Sequence, residues 1–76
     1  MKTKVISIKS LNDIYTFLAK AQATEGDIII KRGCYCIDGK SVLGIFSIDM
    51  SQNVVIEYPE TAKEFEDFIN NFEVSR

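Results

Sequence analysis

The stripe Ala62, Phe65, Phe68, Ile69 and Phe72 limits the fold more than any other feature of this chain. Its spacing is that of one helix face, and a face carrying three phenyl rings needs a sheet to cover. Directly ahead, Thr61-Ala62-Lys63-Glu64 has the capping-box form, in which Thr61 and Glu64 satisfy each other's ends at the helix start. The sheet has to come from the rest of a 76-residue chain. A chain of this length is one small domain, residues 1–76, and buries only about 60% of the surface its unfolded form exposes.

The strands can be read from alternation. Residues 2–8 are rich in β-branched side chains and predict a strand with Ile6 and Ile8 inward. Ser10 follows as a helix N-cap, with Asp13 in the first turn, where the helix dipole favours an acid. Leu11, Ile14, Leu18 and Ala21, widened by Phe17, form the apolar stripe of a helix that runs to Ala23, with Gly26 beyond it. Residues 27–31 and 34–38 read as a hairpin around a two-residue Arg32-Gly33 loop, because glycine tolerates positive φ. Ile28, Ile30, Tyr35 and Ile37 then point inward, and Ile29, Cys34 and Cys36 lie on the other face. A short helix over residues 42–48 and a strand over 53–58 complete the set. Val54, Ile56 and Tyr58 share one face of that strand, and Pro59 ends it because proline cannot continue a ladder. The order βαββαβα predicts an α+β split-βαβ sandwich of four antiparallel strands, with three helices on one face and the other face open.

Composition narrows the functions. Apolar residues make up 46% of the chain, which suits a globular protein. The apolar runs fall far short of the roughly 20 residues that span a bilayer. Residues 1–6 lack the long apolar core of a secretory leader, so a cytoplasmic location away from membranes is expected. The net charge of −2 gives no general attraction to nucleic acid, and no direct nucleic-acid partner is expected. The charge is uneven: residues 1–40 carry seven basic and four acidic side chains, and residues 41–76 carry two and seven. The basic half either steers an acidic partner or is a solvated surface. No histidine is present, which removes the commonest residue of acid–base chemistry and metal ligation. Cys34 and Cys36 are two residues apart. Extended backbone separates such residues by about 6.5–7 Å, at the limit of disulfide geometry, so two free thiols are expected, with an intermolecular disulfide as the other outcome. No metal or cofactor is expected.

The segment Gly39-Lys40-Ser41-Val42-Leu43-Gly44-Ile45-Phe46-Ser47-Ile48 carries the functional signal. Val42, Leu43 and Phe46 share one side of the short helix while Ile45 and Ile48 turn inward; the trio is either an exposed patch or core. Gly33, Gly39, Lys40 and Ser41 imitate a phosphate-binding loop, but five residues separate the glycines where that loop has four.

With the βαββαβα order, a Lys-Ser-aliphatic-aliphatic-Gly segment opening the second helix resembles HPr, the phosphocarrier family of the bacterial sugar phosphotransferase system. The likeness of element order covers nearly the whole chain; the likeness of residues is strong only over about 37–48. It implies an HPr-like open-faced sandwich. HPr proteins carry phosphate on a histidine just before the first helix, followed by Ala-Arg-Pro. The matching place here is Ser10-Leu11-Asn12-Asp13, which makes Ser10 a degenerate phosphoacceptor position left with a capping role. In Gram-positive members the serine opening the second helix is phosphorylated by a dedicated kinase, and the product binds a transcriptional repressor. Ser41 matches that serine, and it serves either as that site or only as an N-cap. Lys40, Val42, Leu43 and Phe46 match the partner-binding surface. The expected function is a regulatory or adaptor protein, not an enzyme, with a serine kinase, a transcriptional regulator or a phosphotransferase-system component as partner. A divergent phosphocarrier using another residue, and an interaction or dimerisation module without phosphorylation, are the alternatives; the oligomeric state is not encoded legibly.

Overall fold

The computed structural model describes residues 1–74. β1 (Lys2–Ile6), β2 (Ile29–Arg32), β3 (Tyr35–Asp38) and β4 (Val54–Tyr58) form one antiparallel sheet in the spatial order β1-β4-β2-β3. α1 (Leu11–Ala23), α2 (Val42–Ser47) and α3 (Lys63–Ile69) pack on one face, and a 3₁₀ turn, Asn70–Phe72, extends α3. This is the α+β architecture that the element order predicts.

β4 lies between β1 and β2, and its burial alternates strictly. Val54, Ile56 and Tyr58 are buried, and Ile56 stands between Lys4 of β1 and Ile30 of β2. Burying a large apolar side chain contributes about 1.5–3 kcal/mol, so this row anchors the sheet. The helices answer it with aromatic rings. Phe65 of α3 meets Phe17 of α1 at 5.4 Å between centroids and Tyr58 at 5.9 Å, both edge-on, the arrangement that ring quadrupoles favour. A polar clip closes the same seam: the Tyr58 hydroxyl donates to Glu66 at 2.6 Å, and the Lys2 ammonium donates to the same oxygen at 3.0 Å. These two donors, the hydroxyl first, hold the Glu66 carboxyl below its usual pKa. Burial, reinforced by Glu66, pushes the Tyr58 phenol well above its own.

Several boundaries differ from expectation. β1 stops at Ile6, because the Ser7 and Ile8 amides turn away to the carbonyls of Phe72 and Met50; Ile8 is nonetheless fully buried. β2 starts at Ile29, two residues late, with Ile28 still in the core. The hairpin loop is Gly33-Cys34, not Arg32-Gly33, since Arg32 pairs with Tyr35. Gly33 has φ +60°, which suits the first central position of a two-residue hairpin turn. The shift takes Cys34 out of the strand. Tyr35, expected inward, lies beyond the reach of the helices and is 65% exposed. Leu11, expected on the core stripe, is 54% exposed at the first turn of α1. The Ser10 side chain makes no capping hydrogen bond. The capping box at Thr61 and Glu64 does not form either. The Ala62 amide closes a turn onto Pro59, so α3 begins at Lys63 with Ala62 at the N-cap and no side-chain cap.

Candidate functional site

The residues around α2 are positioned by the end of β3. The Gly39 amide donates to the Ile28 carbonyl at 2.7 Å, the Lys40 amide to the Asp38 carboxylate at 2.9 Å, and the Ser41 amide to the Asp38 carbonyl at 3.1 Å. A β-carbon at Gly39 would lie 2.5 Å from Ile28 Cγ2, so only glycine allows this approach. These three bonds turn the chain sharply and deliver Ser41 to the head of the helix. Ser41 has extended backbone angles, and its Oγ accepts from the Gly44 amide at 3.1 Å. That bond satisfies one of the orphan donors of a helix start.

Six residues cannot hold a helix by propensity; packing has to do it. Ile45 supplies the anchor at 1% exposure, and Ile48 packs against the core. The opposite side of α2 faces solvent: Val42 is 49% exposed, Leu43 84% and Phe46 47%. The Phe46 ring lies 5.8 Å from that of Tyr15, itself exposed, on α1. Leu11 stands one helical turn before Tyr15 on the same side of α1. Val42, Leu43 and Phe46 of α2 and Tyr15 of α1 thus make four exposed apolar side chains, joined across the helices by the Tyr15–Phe46 contact. The sequence singles out three of them. Tyr15 is missed because its contact with α2 exists only after folding.

Lys40 differs from the rest. Its ammonium donates to the Thr24 carbonyl at 2.6 Å, just past the end of α1, and its own carbonyl accepts from the Gln22 side chain at 3.1 Å. The charge serves the loop before it serves anything outside. Ser10, at the N-cap of α1, is exposed. Cys34 and Cys36 are free thiols, both exposed. Among the described residues, no group of three or more His, Cys, Asp and Glu side chains is placed to hold a metal ion. A groove of about 290 Å³ between α1 and α3, lined by Thr16, Ala19, Lys20, Ala23 and Phe65 among others, contains none of the candidate residues.

The crystal structure of a phosphocarrier protein HPr from Bacillus anthracis str. Ames superposes with a TM-score of 0.68 at 22% sequence identity, covering 93% of this chain and 93% of that one. The chain has the HPr fold. No family model matches the sequence, and no curated protein does. At 22% identity the likeness is one of backbone shape. No described helix is long and apolar enough to cross a membrane.

Proposed function

We propose that this protein is an HPr-related regulatory or adaptor protein without histidine phosphotransfer, and that it acts through Ser41 and the apolar surface beside it. The observation that carries this reading is the juxtaposition at α2. A serine hydroxyl heads a helix whose outer side, Val42, Leu43 and Phe46, is turned to solvent and is extended by Tyr15. An exposed apolar patch of this kind on a small domain marks a surface for a protein partner. Phosphorylation of Ser41 would add about −1.5 to −2 charges at the edge of that patch and so change what binds there, leaving the core untouched. The absence of histidine removes the side chain that accepts and releases a phosphoryl group near neutral pH. The partners implied are a serine kinase and a protein, either a transcriptional regulator or a phosphotransferase-system component, that distinguishes the two states of Ser41.

The test is labelling by an HPr serine kinase with ATP. Stoichiometric incorporation into the wild type and none into Ser41→Ala is the expected result. Equal labelling of both, or labelling of neither, sinks the reading. Ser10, whose hydroxyl makes no cap, is the substitute acceptor to exclude. Incubation with the first enzyme of the phosphotransferase system and phosphoenolpyruvate is expected to give no adduct, and a phosphoryl group on Ser10 would replace the proposal with a carrier function.

A further inference from the structure

The outer edge of β1 already holds an extended segment, supplied by the chain itself. Ile6 bridges to Glu73 as an antiparallel partner. The Ser7 amide donates to the Phe72 carbonyl at 3.0 Å and the Val74 amide to the Val5 carbonyl at 2.9 Å, the two bonds that flank such a pair. Residues 72–74 thus cover this edge as an added sheet member.

The covering segment is seated by its side chains as well as by its backbone. Phe72 packs against the core, its ring 5.2 Å from that of Phe68. Glu73 pairs with the Lys4 ammonium at 3.6 Å. Lys4 faces Ile56 across β1 and β4, so its side chain lies on the helix side of the sheet, and only 16% of it is exposed. Glu73 is its one ion-pair partner among the described residues. Val74 is half-buried. The seat therefore takes an aromatic, an acidic and a β-branched residue in succession.

Little holds the segment there. Two backbone bonds and an ion pair whose Glu73 side is 54% exposed are set against the ordering of three residues, and these opposing contributions are of similar size. The turn that leads into it is loose as well, since the Glu73 amide reaches the Asn70 carbonyl at 3.4 Å. Segments with so few bonds open without the rest of the fold.

We propose that residues 72–74 are an autoinhibitory segment filling a peptide-docking edge on β1. An extended segment of a protein partner, aromatic–acidic–β-branched in sequence, displaces them and pairs antiparallel with β1. The ligand class follows from the seat. The Ser7 N–H and the Val5 C=O supply the backbone bonds on which strand addition depends. Lys4 selects the acid, because an ammonium so little exposed loses its counter-charge whenever Glu73 leaves. The incoming aromatic takes the place of Phe72 beside Phe68. The exchange replaces like with like, and no residue of the Ser41 surface takes part.

The experiment uses the full chain and a capped pentapeptide, Asn-Asn-Phe-Glu-Val, which repeats residues 70–74. The double variant Glu73→Lys, Val74→Pro reverses the charge opposite Lys4 and removes the Val74 N–H. Glu73 already has φ −62° and ψ 133°, so its backbone accepts a following proline. Circular dichroism checks the fold, exchange of the Ser7 amide reports release of the segment, and NMR titration of the Val5, Ile6 and Ser7 signals reports binding. The variant is expected to stay folded and to exchange its Ser7 amide at least about tenfold faster than the wild type. It is expected to bind the peptide saturably and at least about tenfold more tightly than the wild type, whose tethered segment competes at high effective concentration. A control peptide, Asn-Asn-Phe-Lys-Pro, is expected to bind the variant at least about tenfold more weakly. Five results overturn the proposal: a variant that does not fold, since the segment would then belong to the core; an unchanged Ser7 amide; no saturable binding; equal binding by wild type and variant; or equal binding of the two peptides.

Discussion

Replacing Ser41 separates its structural role from the signalling role proposed for it. The Ser41 Oγ accepts from the Gly44 amide at 3.1 Å, and α2 has only six residues. Ser41→Ala removes that acceptor. Loss of a serine cap costs about 1 kcal/mol, and the partly exposed site lets water recover part of the bond, which keeps the cost near that value. At about 2.1 cal/mol/K per residue, unfolding 76 residues carries an entropy of roughly 160 cal/mol/K, so the melting temperature should fall by about 6 °C. Ser41→Asp keeps an oxygen acceptor and places a negative charge at the helix start, so it should melt within about 3 °C of the wild type. Thermal unfolding followed by circular dichroism measures both. The labelling test depends on the outcome, because an alanine variant that remains folded at assay temperature loses phosphate for a chemical reason and not by unfolding. An alanine variant that melts with the wild type, or an aspartate variant as damaged as alanine, would show that the hydroxyl does not cap α2.

Other expectations follow from the same contacts. Phe65→Ala should cost about 3–5 kcal/mol, since it empties the meeting point of Phe17 and Tyr58; urea titration should show a midpoint collapse, and a shift below about 1 kcal/mol would place that ring outside the core. Gly39→Ala should cost about 1–3 kcal/mol, because its methyl group would meet Ile28 at 2.5 Å, and the same titration checks it. Leu43→Ser, at a position 84% exposed, should leave stability within about 0.5 kcal/mol while weakening partner binding, and a large loss of stability would reassign Leu43 to the interior. The depressed Glu66 carboxyl contributes stability above its unfolded pKa that disappears as pH falls through its folded one. Tyr58→Phe removes the larger cause of that depression, so its melting temperature should depend less steeply on acid than the wild type's, and parallel acid profiles would refute the clip.

Much of this architecture is legible in the amino-acid order. The alternation of Val54, Ile56 and Tyr58 predicts a strand with one buried face, and the phenyl-rich stripe from Phe65 to Phe72 predicts the helix that covers it. The hairpin loop lies one residue later than expected, because Arg32-Gly33 and Gly33-Cys34 both offer glycine to a two-residue loop; Lys31 therefore faces Cys36 and not Cys34, a shift of two that keeps each side chain on its expected face. Thr61-Glu64 looks like a capping box, yet the turn closed by Pro59 and Ala62 moves the helix start past it, a competition between local motifs that spacing does not reveal. At the candidate site, Ser41 and the trio on α2 follow from helical spacing. Tyr15 belongs to another helix and joins the patch by tertiary contact, which no local pattern records.

The bond from the Lys40 ammonium to the Thr24 carbonyl, with Gln22 returning a bond to the Lys40 carbonyl, has a consequence for recognition. It straps the lead-in of α2 to the far end of α1, so both walls of the apolar platform are assembled before anything arrives. A partner docking on α2 would find the loop ahead of Ser41 already tied to α1, and would lose little to ordering it.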